Sequence, residues 1–314
     1  MFGAKTELAD ACRMIDRALD AGLNFFDTAN VYSRGKSEEF VGEALKRNGR
    51  RNRVVLATKV HGRMADDDPN AWGSHRRQII EACDASLRRL QTDWIDLYQL
   101  HKPIAAIPID ESLRALDDLI RAGKVRYGGT TTFAAWQLVE SLWVSKEYGL
   151  NRFVCDQPGY NLLDRRAERE LLPMARTYGF GIIPWSPLAG GLLTGKYQRN
   201  VARPAGSRFG DPKATWLERR VNDRVFDVVE GLTTLATAKH CTVSQLALAW
   251  SLRQPGVTAP IIGPRTLEQL EDNLGALNVA VSDDDCKKID EFAPPGRMIS
   301  TFYEADFGPH AHRW

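Results

Sequence analysis

The chain has 314 residues, with 42 Lys+Arg against 40 Asp+Glu for a formal net charge of +2, and it is 43% hydrophobic and 26% charged. That apolar content can fill a core and excludes general disorder, and a chain of about 300 residues removes roughly 75% of its unfolded surface from water without staples. Near-neutral charge argues against nucleic-acid or acidic-membrane partners, no apolar run reaches the ~18–20 residues of a membrane span, and the opening MFGAKTELADACR has no apolar signal core.

The chain repeats one grammar: an amphipathic helix, a glycine, then a short apolar strand. Leu8, Cys12, Ile15 and Leu19 lie at helical spacing, Gly22 follows, and LNFF reads as a strand. VVLATKV is the next strand. Ser74 is expected to cap a helix carrying Ile79, Cys83, Leu87 and Leu90, which leads to WIDLYQL. Asp110 is expected to cap the helix of Leu113, Leu116 and Ile120, followed by Gly123 and KVRYGG. RFVCDQ, the helix LLPMARTY with Gly179, FGIIPW and finally TAPIIG complete the pattern. The strands are apolar throughout, as buried parallel strands are.

Strands alternating with helices at this length indicate α/β architecture, either doubly wound or a (β/α)8 barrel. The reading gives seven strands and places the missing first one before Met1. No linker or composition shift divides the chain, so residues 1–314 are expected to form one domain, with a tail at about 293–314. The gap from Tyr197 to about Leu217 reads as a long functional loop. Cys12, Cys83, Cys155, Cys241 and Cys286 are odd in number, widely spaced and without a CxxC pair. They are expected to be reduced core thiols of a cytoplasmic protein, not a disulfide frame or zinc site.

Polar residues stand where the strands end: Asp27, Lys59, His101, Gln157 and Ser186. In a barrel these ends share one face, which carries active sites. Tyr32 leaves the same strand as Asp27. A lysine ammonium at ~4 Å, in an effective dielectric of ~20, favours a phenolate by about 4 kcal/mol. That would bring a tyrosine from about 10 to near 7. Asp27 can balance the lysine, and His101 can donate to a carbonyl oxygen. The four suit proton delivery to a carbonyl that receives hydride.

NFFDTANVYSRGKSEEFVGEAL, VVLATKV, DLYQLHKP, GKVRYGG, QPGYNLL, PWSPLAGGLLTGKY and IIGPRTLEQLEDNL, in that order, resemble the aldo-keto reductase superfamily. The likeness is to the bacterial branch that also holds sugar ketoreductases and potassium-channel β-subunit relatives. The resemblance implies a (β/α)8 TIM barrel that binds NADPH without a Rossmann domain, the N-terminal hairpin and first strand being absent from the sequence. It implies Tyr32 as general acid, Lys59 as the group that activates it, Asp27 as the holder of Lys59, and His101 as the group that orients the carbonyl. Thr131, Thr132 and Gln157 take positions that hold the nicotinamide carboxamide; the family commonly has Ser-Asn at the first two. Trp185 takes the position that stacks on the nicotinamide ring.

By the same resemblance, Ser186, Leu188, Gly190 and Lys196 face the pyrophosphate. Tyr197 stands where a Walker A loop needs Ser or Thr, which excludes that motif. Gly263, Arg265, Gln269, Asp272 and Asn273 are assigned to the adenosine 2′-phosphate and adenine, at the start of a helix near Thr266. The expected activity is NADPH-dependent reduction of an aldehyde or ketone. The expected partner is a small carbonyl compound, with no nucleic acid, membrane or metal, acting as a monomer or weak homo-oligomer. The alternatives are a non-catalytic NADPH-binding regulatory protein and a Schiff-base aldolase using Lys59.

Overall fold

A computed structural model describes residues 2–4, 6–211 and 220–300. Part of the long loop after Tyr197 and the tail aromatics Phe302, Tyr303, Phe307 and Trp314, with His310 and His312, lie outside the described residues. Two compact units are present. One is built from the chain through Asp156 together with Arg265–Leu270; the other from Gln157–Pro264 and the chain from Glu271.

In the first unit, α1 (Leu8–Asp20), α2 (Lys36–Asn48), α3 (Arg76–Leu90), α4 (Ile109–Arg121) and α5 (Ala135–Tyr148) alternate with strands. The strands are β1 (Phe25–Asp27), β2 (Val55–Val60), β3 (Ile95–Leu100), β4 (Val125–Thr131) and β5 (Phe153–Gln157), whose last residue opens the second unit. They follow one another in chain order in the sheet. The β1–β2, β2–β3 and β3–β4 pairs are parallel, in the register Asp27↔Ala57, Lys59↔Gln99 and Gln99↔Gly129. This α/β organisation follows from apolar strands sheathed by amphipathic helices. Cys12, Ile15, Leu45, Ile79, Leu113 and Leu116 on the helices pack with Leu56, Ile95 and Val125 in the core.

The second unit carries α6 (Leu171–Tyr178), β6 (Gly181–Ile182), α7 (Asp223–Ala238), α8 (Val243–Arg253) and α10 (Asp283–Phe292); α9 (Leu267–Leu274) begins in the first unit and ends in the second. The expected FGIIPW strand stops at Ile182, because Pro184 has no N–H to continue a ladder. The seventh expected strand, TAPIIG, is not a regular strand. Its Thr258 and Ile261 amides instead donate to the carbonyls of Ile182 and Pro184 at 2.7 and 2.8 Å, and Pro260 interrupts it in the same way.

Two caps also differ from the sequence reading. α3 is capped by His75, not Ser74: the imidazole Nδ1 accepts from the Gln78 amide at 3.3 Å. α4 is preceded by Pro108, which places Asp110 inside its first turn, where a carboxylate suits the helix dipole. All five cysteines are free thiols. Cys12, Cys83 and Cys155 are buried as expected, and burial pushes the Cys83 thiol up to about 12. Cys241 and Cys286 are half-buried, so they are not core residues. Among the described residues no helix is long and apolar enough to cross a membrane, and no group of His, Cys, Asp and Glu is placed to hold a metal.

Candidate active site

Strand register brings the first three functional groups together. Side chains alternate across a strand, so Asp27 at the end of β1, Lys59 in β2 and Gln99 in β3 project to one face. Lys59 is completely buried there. Its ammonium donates to Asp27 Oδ2 and to the Thr28 carbonyl at 2.9 Å. Its Nζ also stands 5.1 Å from the Tyr32 ring centre. Burial alone would drive the lysine toward neutrality. The Asp27 carboxylate and Tyr32 oppose it, and the net direction is up, so Lys59 is held as an ammonium.

Tyr32 reaches the group from the turn after β1. Its amide donates to the Ala29 carbonyl at 3.1 Å, and Ser33 and Arg34 take left-handed backbone angles that fold the turn over the strand ends. Gly62 allows this close approach: a Cβ there would stand 2.5 Å from Val31 Cγ2. The Arg34–Asp66 ion pair, at 3.2 Å, ties the same turn to the acidic loop after β2.

His101 follows β3 and packs edge-on to Tyr32, with ring centres 5.6 Å apart. Loss of water, then the positive charges of Lys59, His61 and Lys102, hold its pKa well below the ordinary histidine value. The imidazole is therefore neutral at physiological pH and keeps one N–H to donate. The Thr131 hydroxyl donates to the His101 main-chain carbonyl and fixes the backbone that carries the ring.

Two buried polar groups escaped the sequence reading. Gln99 is fully buried, and its amide donates to Asp27 Oδ1 at 3.1 Å. Glu38 lies on the opposite face of β2. It accepts from Thr58 Oγ1 at 2.5 Å and from Arg89 Nε at 2.7 Å. A glutamine inside an apolar strand two residues before His101 was the available signal for the first. Glu38 gave none, because KSEEF reads as an ordinary helix face.

The expected cofactor residues fall in both units. In the first, Thr131 spends its hydroxyl proton on His101, and Thr132 spends its own on the Thr131 carbonyl at 2.6 Å. Arg265 is half-buried, and its amide donates to Gln269 Oε1 at 2.8 Å, closing the turn into α9.

In the second unit, Gln157 is buried and Trp185 half-buried; a Cβ on Gly159 would come within 3.0 Å of the indole. Ser186, Ala189, Gly190 and Gly191 all take positive φ, making a tight turn around Leu188. The exposed Lys196 overhangs it, Nζ standing 3.1 Å from where a Cβ on Gly191 would be. Gly263 is exposed and Asn273 half-buried. Asp272 is engaged elsewhere: its Oδ1 accepts from Thr242 Oγ1 at 3.0 Å and Gln245 Nε2 at 3.1 Å, tying α9 to α8.

The profile of the Aldo/keto reductase family matches residues 1–294, and the chain belongs to that family. It is accordingly an oxidoreductase, of a family that acts on small carbonyl compounds. Among its relatives is the oxidoreductase YrpG of Bacillus subtilis, 40% identical over 304 residues, covering 94% of this chain and 90% of YrpG. A probable voltage-gated potassium channel subunit beta of Oryza sativa is 37% identical, covering 88% of this chain and 85% of that protein. A putative voltage-gated potassium channel subunit beta of Schizosaccharomyces pombe is 38% identical, covering 88% and 82%.

Proposed function

We propose that the protein is an NADPH-dependent reductase of aldehydes or ketones, with Tyr32 as the proton donor. One observation carries this reading: a buried lysine, kept charged by Asp27, holds its ammonium 5.1 Å from the ring centre of Tyr32, whose oxygen would give up the proton. The ammonium favours the negative charge that remains on that oxygen as the proton leaves. The neutral His101 donates to the carbonyl oxygen and fixes its direction. Asp27 acts through Lys59 and touches no substrate.

The residues present fit the cofactor. Thr131 and Thr132 have already given their hydroxyl protons, so their oxygens are acceptors suited to a carboxamide NH2; Gln157 stands at a family position assigned to the carboxamide. Trp185 offers a half-exposed indole for the nicotinamide ring. The glycine turn at 189–191 with Lys196 suits the pyrophosphate, as does Ser186. Arg265 suits a 2′-phosphate, and Gln269, Asn273 and Gly263 stand at family positions assigned to the adenine end. Asp272 serves this site by holding α9 in place. Bound NADPH supplies the hydride. The reading includes a (β/α)8 barrel as a single domain, a cytoplasmic location and a monomer or weak homo-oligomer.

A Schiff-base aldolase needs Lys59 as a free amine, whereas every contact of Lys59 favours the ammonium. The relatives named as channel β-subunits support a second reading, an NADPH-binding regulatory protein with slow turnover. A screen of aldehydes, quinones and keto-sugars for NADPH oxidation separates the two. Turnover with at least one carbonyl class is expected. NADPH binding without turnover on any class would leave the regulatory reading.

A further inference from the structure

The turn proposed above for the pyrophosphate has an unfavourable backbone. Ser186 and Ala189 stand at φ 54° and 49°, and Gly190 and Gly191 at 67° and 106°. Glycine adopts such angles freely, but a residue with a Cβ does so only where its surroundings impose it. The Ser186 carbonyl is where they do. It accepts from the Ala189 amide at 2.8 Å, which closes the turn from within. It also accepts from Asn161 Nδ2 at 3.1 Å, which ties the turn to another part of the chain. Asn161 is buried, and its two bonds fix which way its amide lies. Oδ1 accepts from the Leu163 N–H at 2.9 Å, so Nδ2 faces the Ser186 carbonyl. The platform that carries Asn161 is itself pinned. Asn161 and Asp164 exchange main-chain hydrogen bonds at 3.3 and 3.0 Å, and the Leu163 carbonyl accepts from the Ile299 amide at 2.8 Å. The buried Arg165 guanidinium donates to Glu168 and Asp290, both at 2.6 Å.

We propose that Asn161 is a positioning residue for cofactor binding: its side-chain amide holds the Ser186 carbonyl and so keeps the 186–191 turn in the shape that offers N–H groups to a pyrophosphate. The consequence for the cofactor rests on the reductase reading above, whereas the effect on the turn does not. With the amide removed, the turn keeps its internal bonds from Ala189 to Ser186 and from Gly191 to Leu188, but it loses its bond to the 161–164 segment. Ser186 and Ala189 then relax more often toward negative φ, and the turn is pre-formed for less of the time. Trp185 has an anchor of its own, because its amide donates to the Pro158 carbonyl at 2.9 Å. The loss therefore falls on cofactor affinity and not on the hydride step.

The test uses Asn161→Asp, which keeps the oxygen for the Leu163 amide and loses the donor, and Asn161→Ser, whose hydroxyl still serves Leu163 but is too short to reach Ser186. Because Asn161→Ser adds no charge, repulsion between a new carboxylate and the cofactor phosphates does not account for a loss seen in both. Amide hydrogen exchange, read by mass spectrometry on peptides covering 186–193 in protein without cofactor, reports the turn. Calorimetric titrations with NADP+ and with adenosine 2′-monophosphate report binding; the second probe carries the adenine and 2′-phosphate but no pyrophosphate. In both variants exchange in the turn is expected to rise roughly 5- to 20-fold. The Kd for NADP+ is expected to rise roughly 3- to 10-fold, with that for adenosine 2′-monophosphate within about twofold of the parent. The KM for NADPH should rise while kcat at saturating NADPH stays within about twofold. Folding is checked by circular dichroism, and should one variant misfold, the other carries the same readings. Unchanged exchange in the 186–193 peptides of a folded variant, or equal weakening of both ligands, overturns the proposal. A parent that does not bind NADP+ overturns the cofactor reading alone, and the exchange measurement still decides the role of Asn161.

Discussion

The Thr131 hydroxyl donates its proton to the main-chain carbonyl of His101, joining the end of β4 to the residue that follows β3. One contact thus does two things: it orients the backbone bearing the imidazole, and it leaves the threonine oxygen as an acceptor. Thr131→Val keeps the shape and removes both. A loss of about 1 kcal/mol in stability is expected, together with weaker NADPH binding by roughly 3- to 10-fold. Urea unfolding and fluorescence titration with NADPH measure the two. Unchanged cofactor affinity would remove Thr131 from the cofactor site.

The Asp27–Lys59 pair is buried, with side-chain exposures of 7% and 0%. Removing one partner strands the other. Lys59→Met is expected to cost about 3–5 kcal/mol, because the Asp27 carboxylate is left without its ammonium. The double variant Asp27→Asn/Lys59→Met should regain most of that stability and none of the activity. Equilibrium denaturation checks the first part and NADPH oxidation the second. Activity in the double variant would show that the ammonium is not needed.

Most of this site can be read in the sequence because it breaks a pattern. Asp27, Lys59 and His101 are charged or titratable groups at the ends of apolar strands, and Tyr32 follows at loop distance. Gln99 breaks the pattern less visibly, since a single amide within IDLYQL has meaning only once the register sets it opposite Lys59. Glu38 is hidden altogether, because a helix of mean polar character gives no sign of which glutamate turns inward. The caps at His75 and Pro108 were missed because Ser74 and Asp110 are better caps by propensity, while the chain entering each helix decided otherwise. The last two strands were overestimated because Pro184 and Pro260 interrupt backbone pairing in segments that are otherwise strand-like.

Glu38 provides the structural counterpart to the site. It is fully buried, and its bonds to Thr58 and Arg89 join α2, β2 and α3 on the face away from Lys59. Glu38→Ala leaves the Arg89 guanidinium without its carboxylate. A loss of about 3–5 kcal/mol is expected, with kcat of the folded fraction within about twofold of the parent. Thermal unfolding and active-site-normalised rates separate the two quantities. A large fall in kcat without loss of stability would contradict a purely architectural role.

The histidines make stability sensitive to acid. His61, half-buried beside Trp72 and near Lys102, is lowered from 6.5 to about 4, and His101 is held well below the ordinary histidine value. Below 6.5 the unfolded chain binds protons that the folded chain refuses, so stability falls as pH drops from 6.5 toward 4. His61→Asn is expected to flatten part of that fall. Urea midpoints measured across the range test it, and an unchanged slope in the variant would contradict the assignment.

The central claim is that Tyr32 delivers the proton. Tyr32→Phe removes one oxygen and leaves the ring against His101. Single-turnover NADPH oxidation with a reactive aldehyde, measured alongside NADPH affinity, tests it most directly. The account predicts a rate lower by at least about a hundredfold with cofactor binding within a few-fold of the parent; reduction at an undiminished rate in Tyr32→Phe would contradict it.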